Sequence, residues 1–197
     1  MSGRHMDPTR TLIGIAGAPG VGKSTFAEQF ADSLRRDGVP AVVVGMDGFH
    51  LSQAELVRLG RRDRMGAPDT FDLPGFLSAL RVLRDARLPA ALPVFDRHLE
   101  ESRPRALKVG SDIRTVVVEG NYLLHDRDGW EEVLPLLDSV LYLEAPSKSR
   151  IERLIRRHVE YGKSEDDARA WALGPDERNA ELVAGGRDRA SMLITVD

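Results

Sequence analysis

One nine-residue stretch constrains this chain more than any other, because it matches G-x-x-x-x-G-K-[ST] at every fixed position. In that pattern the glycines let backbone N–H groups turn toward an anion. The lysine reaches the terminal phosphates as a point charge, and the hydroxyl that follows it ligates Mg²⁺. The stretch therefore predicts a phosphate-binding loop, which consists of Gly17, Ala18, Pro19, Gly20, Val21, Gly22, Lys23, Ser24 and Thr25.

The segments on either side of this loop fit the order strand, loop, helix. Residues 11–16 form a short apolar run typical of a buried strand, and residues 24–36 carry Phe26, Phe30 and Leu34 at helical spacing. A helix that begins at the loop adds the positive end of its dipole to the anion site. The alternative is a glycine-rich turn between two core elements, which would leave Lys23 without a role.

Further apolar runs alternate with helical patterns, and this order predicts an α/β fold with a parallel sheet. The expected strands are 41–45, 90–95, 115–120, 139–144 and 192–196, of which 90–95 is weakened by Pro93. The expected helices are 52–59, 72–83, 130–137, 147–158, 164–173 and 176–184. No repeat or linker interrupts the chain, so we expect a single domain over residues 7–197. Residues 1–6 are interpreted as a cloning remnant before a second start at Met6.

Charge and composition exclude several classes of protein. The formal net charge of -3 argues against a surface that coats nucleic acid. The absence of cysteine excludes disulfides and thiolate metal sites, and it fits a reducing cytoplasm. No apolar run approaches the roughly 20 residues that span a bilayer. We therefore expect a cytoplasmic protein with no nucleic-acid partner and no membrane partner.

Two acidic residues follow predicted strands at the edge where open α/β sheets bind their ligands. Asp47 comes directly after the strand at 41–45, where its carboxylate can accept a proton from a substrate hydroxyl or help to hold a metal. Glu119 ends another apolar run, and in a parallel sheet it would face the Mg²⁺ held by Ser24. The alternatives are a turn aspartate before Gly48 and an acid that caps a neighbouring helix.

Two further groups of polar residues are candidates for substrate or phosphate contacts. After the strand at 90–95, Asp96 could bind sugar-like hydroxyls and Arg97 a charged group, although both also fit a surface loop. In the helix at 147–158, Arg150, Arg153 and Arg157 share one face and Arg156 is adjacent to it. Guanidinium groups on one face can grip a polyphosphate, and a solvated helix is the alternative.

An ordered set of motifs resembles the phosphoribulokinase, uridine kinase and bacterial pantothenate kinase family. The set covers nearly the whole chain and consists of the stretches 17–25, 46–50, 66–72, 93–97, 118–124, 153–157 and 179–181. Within the family the chain is most similar to the nucleoside/nucleotide kinase-like branch, which includes fructose-kinase-like proteins. Tyr122-Leu123-Leu124 carries that likeness, whereas Phe95 and residues 101–103 differ from the Tyr and His-Ser-Arg of uridine kinases.

The resemblance implies a three-layer P-loop NTPase fold: a five-stranded parallel sheet, helices on both faces and a helical lid over residues 145–173. It implies ATP and Mg²⁺ as cofactors. The catalytic residues that it implies are Asp47 as the base and, from the lid, Arg153 with Arg156 or Arg157, and these join Lys23 of the phosphate loop. The resemblance also implies that Glu119 serves the metal side, where Ser24 and Asp47 are further candidates. The candidate substrate-binding residues are Asp47, His50, Asp96 and Arg97.

Together these features predict an ATP-dependent kinase that phosphorylates a hydroxyl of a sugar, nucleoside or pantothenate-like alcohol. Its partner would be this small-molecule acceptor, and a homodimer is a candidate assembly. The alternative from another class is a P-loop ATPase that acts as a nucleotide-dependent switch with a protein partner. A nucleotide-binding scaffold without turnover is the third hypothesis.

Overall fold

The computed structural model describes residues 9–196, so the predicted remnant at 1–6 lies outside the described residues. Strands and helices alternate along most of the chain, as the apolar runs predict. In chain order they are β1 (Thr11–Gly17), α1 (Lys23–Arg36), β2 (Ala41–Gly45), α2 (Gln53–Arg58), α3 (Leu73–Arg84), β3 (Ala90–Asp96), β4 (Glu101–Val109), β5 (Thr115–Glu119), β6 (Ser139–Glu144), α4 (Ser147–Glu160), α5 (Glu165–Leu173), α6 (Pro175–Ala184) and β7 (Met192–Thr195).

Five of the strands form one parallel sheet in the order β2-β5-β1-β6-β7, which confirms the predicted fold class. All five residues of β5 are buried because helices cover both faces of the sheet, and this explains its uninterrupted apolar sequence. One face packs Val116 and Val118 against Phe76 and Leu80 of α3. The other face packs Val117 and other apolar side chains against α1.

The strands β3 and β4 lie outside this sheet and pair with each other as an antiparallel hairpin. β3 corresponds to the weak strand predicted at 90–95, whereas β4 is not predicted. The buried Arg10 anchors the base of the hairpin next to β1. Its guanidinium donates hydrogen bonds to the main-chain carbonyls of Leu83, Asp85, Ala86, Leu88, Gly110 and Ile113.

The predicted helix at 130–137 is instead two short 3-10 turns, Trp130–Glu132 and Leu134–Leu136. Pro135 has no amide hydrogen, so a continuous α-helix through this segment would lose a hydrogen bond. Within residues 9–196, none of the helices has both the length and the apolar character needed to cross a membrane.

Candidate active site

The phosphate loop connects β1 to α1 as the motif predicts. Gly22 precedes the helix with a φ of 102°, a left-handed conformation that glycine adopts without strain. No side chain caps α1, so its first amide groups remain available to an anion. The buried Lys23 donates a hydrogen bond from Nζ to the carbonyl oxygen of Ala18, at 3.2 Å. The loop and the helix therefore form a cationic cradle.

The two predicted acids lie beside this cradle at the same edge of the sheet. Gly45 of β2 is in register with Glu119 of β5, and Asp47 follows Gly45 in the 3-10 turn Met46–Phe49. Ser24 Oγ donates a hydrogen bond to Glu119 Oε1 at 3.3 Å. A side chain at position 45 would crowd this carboxylate, because a Cβ atom there would lie 3.0 Å from Oε1.

The side chains at this edge fit Mg²⁺. In the part of the chain that the structure describes, no group of three or more His, Cys, Asp or Glu residues could hold a metal without other ligands. Mg²⁺ is commonly bound through one or two carboxylates, substrate phosphates and water rather than by a cage of protein ligands. The Ser24 hydroxyl and the Glu119 carboxylate supply that kind of incomplete set, with Asp47 as a second carboxylate nearby.

Burial and charge shift the pKa values of these groups in different directions. Burial lowers the pKa of Lys23 to about 8, although the charges of Glu119 and Asp47 oppose the shift. Burial, together with the charge of Asp47, raises the pKa of Glu119 to about 7. Burial also works against the charge of Asp47, but the positive charges of Arg97, Lys23 and Arg157 lower the pKa of that carboxyl. The pKa values of the two acids are therefore shifted in opposite directions, and the ionised form is favoured at Asp47.

His50 presents a hydrogen-bond acceptor to the site. Its Nδ1 lies 2.8 Å from the main-chain carbonyl oxygen of Asp47, which can only accept a hydrogen bond, so Nδ1 carries the proton. Burial lowers the pKa of His50, and in the neutral ring Nε2 is left with a lone pair. The ring packs between Phe71 and Phe95, with centroid distances of 4.0 and 4.8 Å.

A cavity of about 350 Å³ joins the loop, the two acids and the aromatic cluster. The structure thus brings together most of the predicted site residues. Those that line the cavity are Pro19, Gly20, Gly22, Lys23, Ser24, Thr25, Asp47, His50, Arg97, Glu119, Arg153 and Arg157. Gly17, Ala18 and Val21 complete the loop behind them.

Outside the phosphate loop, two predicted site residues, Asp96 and Arg156, do not line this cavity. Asp96 Oδ1 accepts hydrogen bonds from the amides of His98 and Leu99 at 3.1 and 3.3 Å, so this aspartate holds the hairpin turn. Arg156 lines a separate groove between α4 and α5. Successive helical residues are rotated by about 100°, so Arg156 and Arg157 face different directions.

Three charged residues that are not among the predicted site residues also line the cavity. This group, called the outer cluster, consists of Arg62, Glu100 and Lys163. Arg62 Nη2 lies 2.5 Å from one oxygen of Glu100, and Lys163 Nζ lies 3.9 Å from the other. Lys163 also sits 4.8 Å from the ring centroid of Trp171. The charged stretch at 60–69 is a weak signal for Arg62, and Glu100 and Lys163 have none.

Buried polar contacts tie the surrounding segments together. The hydroxyl of Tyr122 donates to the carbonyl oxygen of Gly66 at 2.6 Å, which holds the loop after α2 against the sheet edge. His158 Nε2 of α4 lies 2.7 Å from Asp176 Oδ2 of α6, and both residues line the cavity. These partners are distant in sequence, so only the fold reveals them.

Comparisons with known proteins agree with this geometry. A family model described as Phosphoribulokinase / Uridine kinase family matches residues 12–173. The uncharacterised protein YggC of Escherichia coli is 31% identical over 187 residues, which cover 94% of this chain and 77% of YggC. A candidate uridine kinase of Schizosaccharomyces pombe is 35% identical over 162 residues, covering 78% of this chain and 68% of that protein. The crystal structure of a candidate fructose transport system kinase from Silicibacter sp. TM1040 has a TM-score of 0.89 and 37% identity, and the match covers 98% of this chain and 93% of that one.

Proposed function

Because the chain belongs to the phosphoribulokinase / uridine kinase family, we propose that it transfers the γ-phosphoryl group of ATP to a hydroxyl of a small molecule. One observation carries the proposal: Asp47 and Glu119 share a cavity with Lys23 and Ser24 of the phosphate loop. Phosphoryl transfer of this kind needs a phosphate cradle, a metal-side ligand and a group that accepts the acceptor's proton. All three are available in this cavity.

Each residue has a distinct role in the proposed reaction. The loop amides and Lys23 would hold the β- and γ-phosphates, and Ser24 and Glu119 would hold Mg²⁺ directly or through water. Bound Mg²⁺ supplies charge neutralisation on the phosphates. Asp47 takes the proton as the acceptor oxygen forms its bond to phosphorus and the bond to the β-phosphate oxygen breaks. Arg153 and Arg157 neutralise the charge of the phosphoryl group as it moves.

The packing of the aromatic cluster, which consists of His50, Phe71 and Phe95, favours an acceptor that has no nucleobase. A stacked base would have to separate His50 from Phe71 or Phe95, whose rings already contact it. A sugar or another small alcohol needs no such rearrangement, and its second hydroxyl could donate to His50 Nε2. The similarity to a candidate fructose transport system kinase favours the same class of acceptor. The absence of cysteine fits a reducing compartment, and we propose the cytoplasm.

The decisive experiment measures ADP formation with MgATP and a panel of acceptors, with mass spectrometry of the products. The panel contains fructose and other sugars, sugar phosphates, nucleosides and pantothenate. We expect acceptor-dependent ADP formation with a base-free alcohol, and none with the Lys23→Ala variant. ADP formation that is independent of every acceptor would favour the ATPase switch, and ATP binding without turnover would favour the scaffold.

A further inference from the structure

The first half of α4 packs directly against the phosphate loop. Gly20 has a φ of +78°, and a Cβ atom on it would lie 2.6 Å from the carbonyl oxygen of Arg150 and 2.7 Å from Cγ of Leu154. Leu154 is fully buried, and Arg150 is 5% exposed. These turns of the helix pack against the loop and form a wall of the proposed nucleotide site, and they fall within the predicted lid range of 145–173.

Arg150 contacts the loop from behind rather than reaching into the cavity. Its Nη1 donates a hydrogen bond to the carbonyl oxygen of Pro19 at 3.1 Å, and its Nη2 pairs with Glu177 of α6. One turn further along α4, Arg153 Nη1 donates to the carbonyl oxygen of Val21 at 3.3 Å. The helical spacing predicts that Arg150 grips the polyphosphate, but its guanidinium is instead occupied by protein groups.

These two contacts restrict the direction of specific amide groups. In a planar trans peptide, the C=O of one residue and the N–H of the next point in opposite directions. A guanidinium that holds the Pro19 carbonyl on one side therefore turns the Gly20 amide to the other side. The Val21 carbonyl and the Gly22 amide are related in the same way. Gly20 and Gly22 both line the cavity.

We propose that Arg150 is a positioning residue, which acts with Arg153 to hold the Gly20 and Gly22 amides toward the nucleotide phosphates. Glu177 keeps Arg150 aimed at the loop, because the carboxylate occupies the other side of the guanidinium. The inference rests on the proposed nucleotide site. It assigns α4 and α6 a role in that site, because their side chains set the orientation of the Gly20 and Gly22 amides.

The test is the affinity for MgADP of an Arg150→Met variant, measured by calorimetry. Methionine keeps an unbranched side chain but cannot donate to Pro19 or pair with Glu177. We expect the dissociation constant to rise about 10- to 100-fold, since misdirected amides lose charge-assisted hydrogen bonds to phosphate. Lys148→Met is the matched control, because Lys148 is exposed on the same helix, and we expect its affinity to stay within about twofold of the wild type.

Folding stability, measured in parallel, separates positioning from a structural role. A purely structural Arg150 would give a lower Tm but an unchanged MgADP affinity well below that Tm, and this result would overturn the inference. A wild-type protein that binds no MgADP would contradict the proposed function instead. If Arg150→Met does not fold, Arg150→Lys and Glu177→Gln decide. Each leaves only part of the network and should weaken MgADP binding about 3- to 10-fold, and unchanged affinity in both would reject the inference.

Discussion

Asp47 is the side chain on which the proposed transfer depends most. It lines the cavity, its pKa is lowered, and its Oδ2 lies 3.6 Å from Arg97 Nη2. An Asp47→Asn variant keeps the size of the side chain but cannot take the proton of an acceptor hydroxyl. We expect kcat to fall by about 10³-fold, with the dissociation constant for MgATP changed by less than about threefold. Steady-state kinetics and calorimetry measure the two effects.

The control for this variant is Asp63→Asn, which removes a carboxylate from an exposed position outside the cavity. We expect its kcat to remain near that of the wild type. Equal activity of Asp47→Asn and the wild type toward the same acceptor would remove Asp47 from the role of base. Loss of MgATP binding in Asp47→Asn would assign it mainly to the metal side.

Glu119 makes the stability of the ligand-free protein depend on pH. Its pKa is raised from 4.5 to about 7, so between these values the folded protein keeps a proton that the unfolded chain releases. The free energy of unfolding therefore decreases as pH rises through this range. Glu119→Gln does not titrate, so it should match the wild type at pH 4 and exceed it at pH 8. We expect a gain of about 3 kcal/mol, or roughly 10 °C in Tm, at pH 8.

Thermal denaturation of both proteins from pH 4 to pH 9, without nucleotide or metal, measures this difference. The wild-type curve should approach the variant curve as pH falls below 6. Parallel curves across the whole range would show that Glu119 does not hold the proton. The Glu119→Gln substitution should also weaken Mg²⁺ binding and so raise the Mg²⁺ concentration that gives half-maximal turnover, because an amide is a poorer ligand than a carboxylate for a hard cation.

At the level of single residues, the sequence predicts the site correctly where an acid lies at the carboxyl end of a strand of the parallel sheet. Asp47 and Glu119 both follow strands of the parallel sheet, and they meet beside the loop. Asp96 also ends a strand, but that strand belongs to the hairpin, where the side chain stabilises a turn. The sequence pattern of β3 does not distinguish a sheet strand from a hairpin strand, so the sequence alone does not show that Asp96 lies outside the cavity lining.

Among the elements, burial decides which ones the sequence reveals. The strands β1, β5 and β6 are covered on both faces and therefore appear as apolar runs. In β4 only Val109 is buried, and Pro104 interrupts the run, so no apolar or alternating pattern predicts a strand. The arginines of α4 are a second example. Their spacing in the sequence shows which of them share a face of the helix, but it does not show that Arg150 on this face packs against the phosphate loop.

The hairpin and the α4–α5 loop meet at the outer cluster of Arg62, Glu100 and Lys163. Glu100 pairs with both cations, and the ring of His98 lies 5.0 Å from that of Tyr161, so these contacts join the hairpin to the α4–α5 loop beside the cavity. Glu100→Gln removes the charge that draws the two cations together. We expect the KM for the acceptor to rise about 3- to 10-fold, while the dissociation constant for MgADP stays within about twofold, because Glu100 pairs with Arg62 and Lys163 and not with the phosphate loop.

Initial rates at varied acceptor concentration and saturating MgATP give this KM. Glu160→Gln, which neutralises an exposed carboxylate on α4, is the control and should leave both constants unchanged. A Glu100→Gln variant with a weakened MgADP affinity and an unchanged acceptor KM would show that the outer cluster acts on the nucleotide end instead.

On the scale of the whole molecule, the cavity combines parts of the chain that are far apart in sequence. The phosphate loop follows β1, and Arg153 and Arg157 come from α4. The rings of His50, Phe71 and Phe95 come from the segment between β2 and α3 and from the hairpin. Lys23 of the loop lies near the positive charges of Arg157 and Arg97, and burial also disfavours the charge of Lys23. The ligand-free protein therefore holds charges that a bound polyphosphate would neutralise.

This arrangement predicts strong stabilisation by nucleotide. A ligand that binds only the folded state at about 100 times its dissociation constant adds about 2.7 kcal/mol to the free energy of unfolding. For a chain of this size we expect the Tm to rise by roughly 5 to 10 °C with MgADP. Lys23→Ala should show less than about 2 °C, because it lacks the charge that meets the phosphates, and adenosine should have little effect on either protein. An equal shift with adenosine and MgADP would mean that the base rather than the phosphate chain drives binding, which would contradict the role of the phosphate loop.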